Sequence, residues 1–373
     1  MRTCRLCLLE ERVFGAEIDD GGRCNYCSAW DREKGALTDF DSLAGLFQRR
    51  IDKVRGRYPY DALVGISGGK DSTYVLYKLV SDYGLKVLAV TFDNGFLTDY
   101  SKRNIETLVA RLGVEHVFIR PDWEVHRSFY RAVLKRFADP CIACAMAGYF
   151  HMTRICHERR IPFFVHGRSP FQMFRNLREG SGDIFVPMVR TGIEEYSHGE
   201  IRELSTMVDG KLRELLGQAF ETEDERERVY HEFFIDPRAF GPDLVPEHLG
   251  FFVYHPYDEE KIKQRMEKEV GYRRPAGDVL LGHGDCEIHD ASSYLFEKVH
   301  GVSMVTLEVA AMLRQGALTR GEAEAMLARH QWGGRVPRES IKRLCERLGL
   351  EEGEIDAVIE EFRTADGRKY DSH

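Results

Sequence analysis

The stretch Ser67-Gly68-Gly69-Lys70-Asp71-Ser72-Thr73 constrains this chain more than any other. It follows an apolar run, Ala62 to Ile66, that reads as a buried strand. It precedes Tyr74 to Val80, whose apolar spacing is helical. The local order is therefore strand, glycine-rich turn, helix. Two glycines let the backbone approach a guest closely, and the following amides and helix N-terminus face negative charge. Ser67, Ser72 and Thr73 add hydroxyl donors, and Lys70 adds a full positive charge. A phosphate-sized oxyanion is the natural guest. The string departs from Gly-x-x-x-x-Gly-Lys-Ser/Thr, and the plain alternative is a surface turn before a capped helix.

The same alternation continues. Lys86 to Asp93, Glu115 to Arg120 and Ile161 to Gly167 read as strands. Ser101 to Leu112, ended by Gly113, and Trp123 to Phe137 read as helices. Strands alternating with helices imply βαβ units and a mostly parallel, doubly wound α/β sheet. Such sheets bind ligands at the C-terminal ends of their strands. Phe92, Asp93 and Asn94 lie at one such end, against the plain alternative of an Asp-Asn-Gly turn. His166, Gly167 and Arg168 lie at another, where Gly167 lets a nucleotide come close and Arg168 could meet a phosphate or acidic substrate. A core histidine is an equal reading of His166. Arg175, Asn176 and Arg178 follow in a polar, substrate-loop-like segment.

Cys4-x2-Cys7 and Cys24-x2-Cys27 have the spacing of a Cys4 zinc ribbon. Four thiolates close the coordination sphere, so the role is structural; the bland reading is four unrelated thiols. Cys141-x2-Cys144 follows Asp139-Pro140 and could hold a metal or an iron–sulfur cluster, form a redox pair, or simply pack. A helix starting at Pro140 would lower these thiols' pKa. Cys156 or Cys286 is a candidate third ligand, although Cys156 also suits a helix core. His283, Asp285, Cys286, His289 and Asp290 crowd one string, either catalytic or metal-binding or a polar loop.

The 373 residues are 43% hydrophobic, enough for a sizeable core, and no apolar run approaches a membrane span. No signal peptide is visible at the N-terminus, so a reducing, cytoplasmic setting is expected for the nine cysteines. A net charge of −8 argues against a coat on nucleic acid. Residues 101–180, however, carry a local excess of +7, which suits an anionic second substrate or a set of solvated helix faces. The expected organisation is a ribbon over 1–35 and a nucleotide-binding α/β domain over 36–300, with a charge-rich helical insertion at about 195–275. A helical region over 301–373 completes it. There Thr319 and Glu322 form a capping box, and no chemistry is evident.

The Ser67 to Thr73 string resembles the PP-loop of ATP pyrophosphatases, which split ATP between its α and β phosphates. The whole chain resembles the N-acetyl sugar amidotransferase branch. The likeness is carried by the two leading Cys pairs, the loop, Asp139-Pro140-Cys141-Ile142-Ala143-Cys144 and the tail from Leu313 to Ala323. It implies an adenine nucleotide alpha hydrolase-like fold, ATP and Mg²⁺, and adenylation of an acetamido oxygen on an N-acetylated, often acidic, nucleotide sugar. Ammonia would then displace AMP. It implies roles in catalysis for Lys70, Asp71 and Ser67, and nucleotide contacts from the whole loop and from Phe92, Asp93, Asn94, Gly167 and Arg168. It also implies separate glutaminase partners, and the sequence agrees in having no N-terminal Cys nucleophile and no Gly-x-Cys-x-Gly elbow. The segments 166–170 and 282–290 depart from the pattern. The Cys-x2-Cys pair is similar also to that of iron–sulfur tRNA thiolation enzymes. That likeness implies a sulfurtransferase acting on tRNA or a small molecule, with Cys141, Cys144 and Cys286 around a [4Fe–4S] cluster or relaying sulfur. A nucleotide-sensing subunit without turnover is the remaining alternative.

Overall fold

The computed structural model describes residues 2–179, 197–241, 244–275 and 284–364. Five strands form one sheet: β1 (Ala62–Gly65), β2 (Val87–Phe92), β3 (Glu115–Ile119), β4 (Phe163–His166) and β5 (Glu247–Gly250). Their order is β3-β2-β1-β4-β5, and every neighbouring pair is parallel. The expected doubly wound α/β fold is therefore present. β1 and β2 are apolar throughout because both faces are covered. Ala62 and Val64 point into one core with Val87 and Ala89, while Leu63 points into the opposite one with Leu88 and Val90.

The first core is covered by α2 (Phe40–Val54), α3 (Lys70–Tyr77), α4 (Asp99–Leu112), α10 (Phe251–Tyr254) and α11 (Glu259–Val270). The opposite side carries α5 (Trp123–Phe137), α6 (Cys141–Glu158) and α9 (Glu223–Phe233), with α8 (His198–Gly217) beside them. Helix ends follow local chemistry. Thr98 caps α4 through the Ser101 amide, Gly113 ends it in a left-handed conformation, and Asp122 caps α5.

β5 falls within the stretch that the sequence reads as a helical insertion. Glu247-His248-Leu249-Gly250 has none of the β-branched character of a buried strand. It is an edge strand, held by the β4 register from Phe163↔Glu247 to His166↔Gly250. α10 and α11, from the same stretch, belong to the core.

The N-terminal four-cysteine ribbon is present, and α1 (Asn25–Leu37) starts directly from its second knuckle. Leu9, Phe14 and Tyr26 of the ribbon pack with Phe296 of α12 (His289–His300) and with Leu307 and Ala310 of α13 (Thr306–Arg314). The ribbon is thus joined to helices from the C-terminal third of the sequence. α14 (Arg320–Arg329) carries the expected Thr319–Glu322 capping box. α15 (Arg338–Leu348) and α16 (Glu352–Thr364) pack on the core that includes α5 and α12. Among the described residues no helix is long and apolar enough to cross a membrane.

Candidate functional site

The chain runs from β1 to β2 and β3 on one side, then returns to β4 and β5 on the other. The topological switch point therefore lies between β1 and β4, where open α/β sheets bind ligands. The turn after β1 is the Ser67–Gly69 loop, and the turn after β4 is Gly167–Ser169. The two turns touch. A Cβ on Gly167 would stand 2.8 Å from the Asp71 carbonyl carbon and 3.0 Å from the Ser72 amide. Gly167 thus lets one turn pack on the other, and it also lies on the wall of the loop cavity.

The loop is pinned from behind. Gly68 has φ +79°, and its missing Cβ leaves room for the Ser101 carbonyl of α4. Ser101 Oγ donates to the Ser67 carbonyl, and Asn104 Nδ2 donates to the Gly68 carbonyl at 3.1 Å. Ser72 Oγ accepts from the Ser67 amide at 3.2 Å. No side chain caps Gly69, so the first amides of α3 remain available to a guest.

Lys70 is buried, and its Nζ lies 3.0 Å from Asp71 Oδ2 and 4.0 Å from Glu259 Oε1. Burial alone would lower the Lys70 pKa, but Asp71 and Glu259 outweigh it and hold it above its usual value. Burial raises the Asp71 carboxyl, opposed by Lys70 and by a 3.2 Å hydrogen bond donated by Tyr257. The result is a fixed cation beside open helix amides, an arrangement that favours an anionic guest.

Two cavities meet at this point. One of about 220 Å³ lies on the loop and is lined by Ser67, Gly69, Lys70, Asp71 and Ser72 together with residues such as Glu259 and Glu308. The other, about 490 Å³, is lined by Phe92, Asn94, Tyr130, Met146, Tyr149 and Phe164 among others. Ser67, Arg168 and Asp285 border both. Of the sequence candidates, Gly68 and Thr73 lie behind the loop rather than on a cavity wall. Asp93 accepts from the Gly95 amide at 3.0 Å and faces Arg120, so it shapes the turn beside Phe92 and Asn94 and lines neither cavity.

Cys141, Cys144 and Cys286 all border the larger cavity, with Asn94 Nδ2 3.4 Å from Cys144 Sγ and 3.9 Å from Cys286 Sγ. Their thiols run against the expectation of lowered pKa. Burial raises all three, helped at Cys141 by Asp139 and at Cys286 by Cys144. The helix N-terminus at Pro140 is outweighed by loss of solvent. Cys156 is buried against Leu63 and Leu88 and is core. Asp285 and His289 of the 282–290 string reach the cavity wall, whereas His283 lies outside the described residues.

Among the described residues, one group of side chains converges closely enough to hold a single ion: Cys4, Cys7, Cys24 and Cys27. The Cys4–Cys27 and Cys7–Cys24 sulfurs are 3.9 and 3.5 Å apart. A tetrahedron with metal–sulfur bonds of about 2.3 Å has edges of about 3.8 Å, so the set fits one tetrahedral ion.

Sequence reasoning missed Glu308, Met312, Tyr257 and Glu259. α13 presses on α7 (Pro170–Phe174) and puts Glu308 and Met312 on the wall of the loop cavity. The C-terminal region thus contributes to the wall of the loop cavity, which its sequence does not announce. Nothing local marks Glu308, because a Glu in Thr-Leu-Glu-Val is ordinary helix sequence.

No protein-family profile matches the chain, and no curated protein matches it. Among solved structures, the U34-tRNA thiolase NcsA from Methanococcus maripaludis, with its [4Fe-4S] cluster, is 14% identical over 89% of this chain and 89% of its own, with a TM-score of 0.32. NMN synthetase from Francisella tularensis is 14% identical over 52% of this chain and 92% of its own, with a TM-score of 0.28. Both likenesses are remote.

Proposed function

We propose that this chain is an ATP-dependent enzyme of the PP-loop kind. It cleaves ATP between the α and β phosphates and places AMP on an amide oxygen of a second substrate. The observation that carries this reading is the position of the Ser67–Thr73 loop at the β1/β4 switch point, with a phosphate-sized cavity opening into a larger, mainly apolar one. Triphosphate fits the first, and the adenosine and acceptor fit the second beside Phe92 and Asn94.

An amide oxygen is a poor leaving group; as AMP it leaves readily. The amides at the start of α3 and the Lys70 ammonium oppose the charge that develops on pyrophosphate. Asp71 holds that ammonium in place. Mg²⁺ fits a cavity walled by carboxylates; when bound it supplies further screening of the phosphate charge. Arg168, exposed to both cavities, suits an anionic acceptor. We take that acceptor to be an N-acetylated nucleotide sugar of the kind used in polysaccharide biosynthesis, and the incoming group to be ammonia from a separate glutaminase partner. Zinc in the ribbon is structural in this account.

One observation favours a second reading: Cys141, Cys144 and Cys286 face the cavity in which the activated oxygen would lie. Under it, the same adenylation precedes attack by sulfur, on tRNA or a small molecule, with a [4Fe–4S] cluster on these thiols. Zinc, iron and acid-labile sulfide measured on anaerobically purified protein, with a visible spectrum, separate the two. About one zinc without iron supports nitrogen transfer. A further four irons and sulfides, on the order of one [4Fe–4S] cluster, supports sulfur transfer.

A further inference from the structure

We propose that Glu308, delivered by α13, is the carboxylate through which the loop cavity binds a divalent cation together with the phosphates of the nucleotide. The inference rests on the nucleotide reading and names the cation ligand that the reading lacks.

The charges on the cavity wall pose the problem. Lys70 and Arg168 face Asp71, Glu259, Asp285 and Glu308 across about 220 Å³. A polyphosphate entering a wall with more carboxylates than cations is repelled unless a cation enters with it. Two of these acids are engaged by protein groups, and a third, Asp285, is only half-buried. Asp71 holds Lys70 and accepts from Tyr257. Glu259 lies 2.6 Å from Lys263 Nζ. Asp285 sits at the mouth shared by both cavities, beside Gly69, where a Cβ would stand 3.8 Å from its Oδ2.

Glu308 differs. It is 8% exposed, reaches the cavity wall, and has no hydrogen-bond partner among the described residues. Its surroundings act on it only through space, with Arg175 and Lys70 favouring its charge and burial, Asp71 and Glu259 opposing it. A buried carboxyl without a partner is costly, and a fold that keeps one on a cavity wall has reserved it for a guest. Mg²⁺ commonly takes one or two carboxylates and completes its octahedron with phosphate oxygens and water. One free carboxylate is therefore enough. It also explains why the wall acids do not form a metal-holding group by themselves: the phosphates supply the remaining ligands.

The test is calorimetric titration of wild type and Glu308→Gln with α,β-methylene-ATP, which resists cleavage, in metal-stripped buffer and again with Mg²⁺. Zinc content and circular dichroism check that the variant is folded. In wild type Mg²⁺ should tighten binding about tenfold or more, the scale on which metal ligation is felt. In Glu308→Gln the enhancement should fall below about threefold on that same scale, with cation-free affinity unchanged or higher because a repelling charge is gone. Full enhancement in Glu308→Gln, or equal loss with and without Mg²⁺, overturns the proposal. Should Glu308→Gln not fold, Glu308→Asp retains the charge one methylene short and should show a reduced enhancement; an undiminished one overturns it as well. Failure of wild type to bind the analogue in either buffer instead removes the nucleotide reading, and this inference with it.

Discussion

Gly68 and Gly69 are adjacent and identical in sequence, yet the structure asks different things of them. Gly68 has φ +79°, and an added Cβ would stand 2.4 Å from the Ser101 carbonyl oxygen and 2.8 Å from its Cα. These are backbone atoms in the first turn of α4 and cannot swing aside. Holding a non-glycine residue on this side of the φ axis costs roughly 1–3 kcal/mol, and forcing a methyl into filled space costs roughly 1–3 kcal/mol more. Stiffening the unfolded chain returns about 0.4–1 kcal/mol. Gly68→Ala should therefore destabilise by about 3 kcal/mol, from the sum of these terms. Gly69 has φ −77°, and its Cβ would meet only side-chain atoms, Ser67 Oγ at 3.3 Å and Asp285 Oδ2 at 3.8 Å, which can shift. Its loss as a helix N-cap costs about 0.5–1 kcal/mol, which the same unfolded-state term offsets. Urea unfolding followed by circular dichroism should place Gly69→Ala close to wild type and Gly68→Ala well below it, with an unchanged slope. Equal midpoints for the two variants, or a larger loss at Gly69, would refute the assigned loop geometry.

Lys70→Ala should leave the chain folded and reduce pyrophosphate release by about 10²–10³-fold, the usual cost of removing one charge-stabilising donor; substantial retained activity in a pyrophosphate assay would remove the mechanism. Cys24→Ser, or zinc removal, should lower the melting temperature and also weaken nucleotide binding, because Leu307 and Ala310 of α13 rest on the ribbon. Nucleotide affinity unaffected by zinc loss would show that the ribbon does not support α13. His126 is held neutral, its pKa lowered to about 3 by burial and then by His151. An unfolded histidine binds its proton near pH 6.5. The stability it contributes is thus complete above that pH and falls by about 1.4 kcal/mol per unit below it, until the folded pKa is reached. His126→Phe, set among Phe92, Trp123 and Phe233, should therefore flatten the loss of stability between pH 6.5 and 5 by about 2 kcal/mol. Parallel melting-temperature profiles for the two proteins would contradict this.

The α/β fold was legible because β1 and β2 are unbroken apolar runs, and because Gly113 and Asp122 mark helix ends in the usual way. β5 was hidden, since an edge strand containing Glu247, His248 and Gly250 takes its structure from the β4 register rather than from its own propensity. In the site, the loop and the cavity-facing placement of Phe92, Asn94 and Arg168 could be read from strand ends. The turn-shaping part of Asp93 and the close backbone that Gly167 admits were not legible, because both depend on contacts outside their own strand ends. The thiols of Cys141 and Cys144 followed their burial, which a helix-start motif does not announce. Glu308 was beyond reach because its place depends on α13 being carried back to the loop cavity, whose wall it shares with Lys70, 238 positions away in sequence.

The central claim is that ATP is cut between its α and β phosphates. The direct test is ³¹P NMR of ATP incubated with the protein, Mg²⁺, an ammonia source and a panel of N-acetylated nucleotide sugars. AMP and pyrophosphate, formed only with an acceptor present and lost in Lys70→Ala, is the predicted result. ADP and orthophosphate as products would contradict the account.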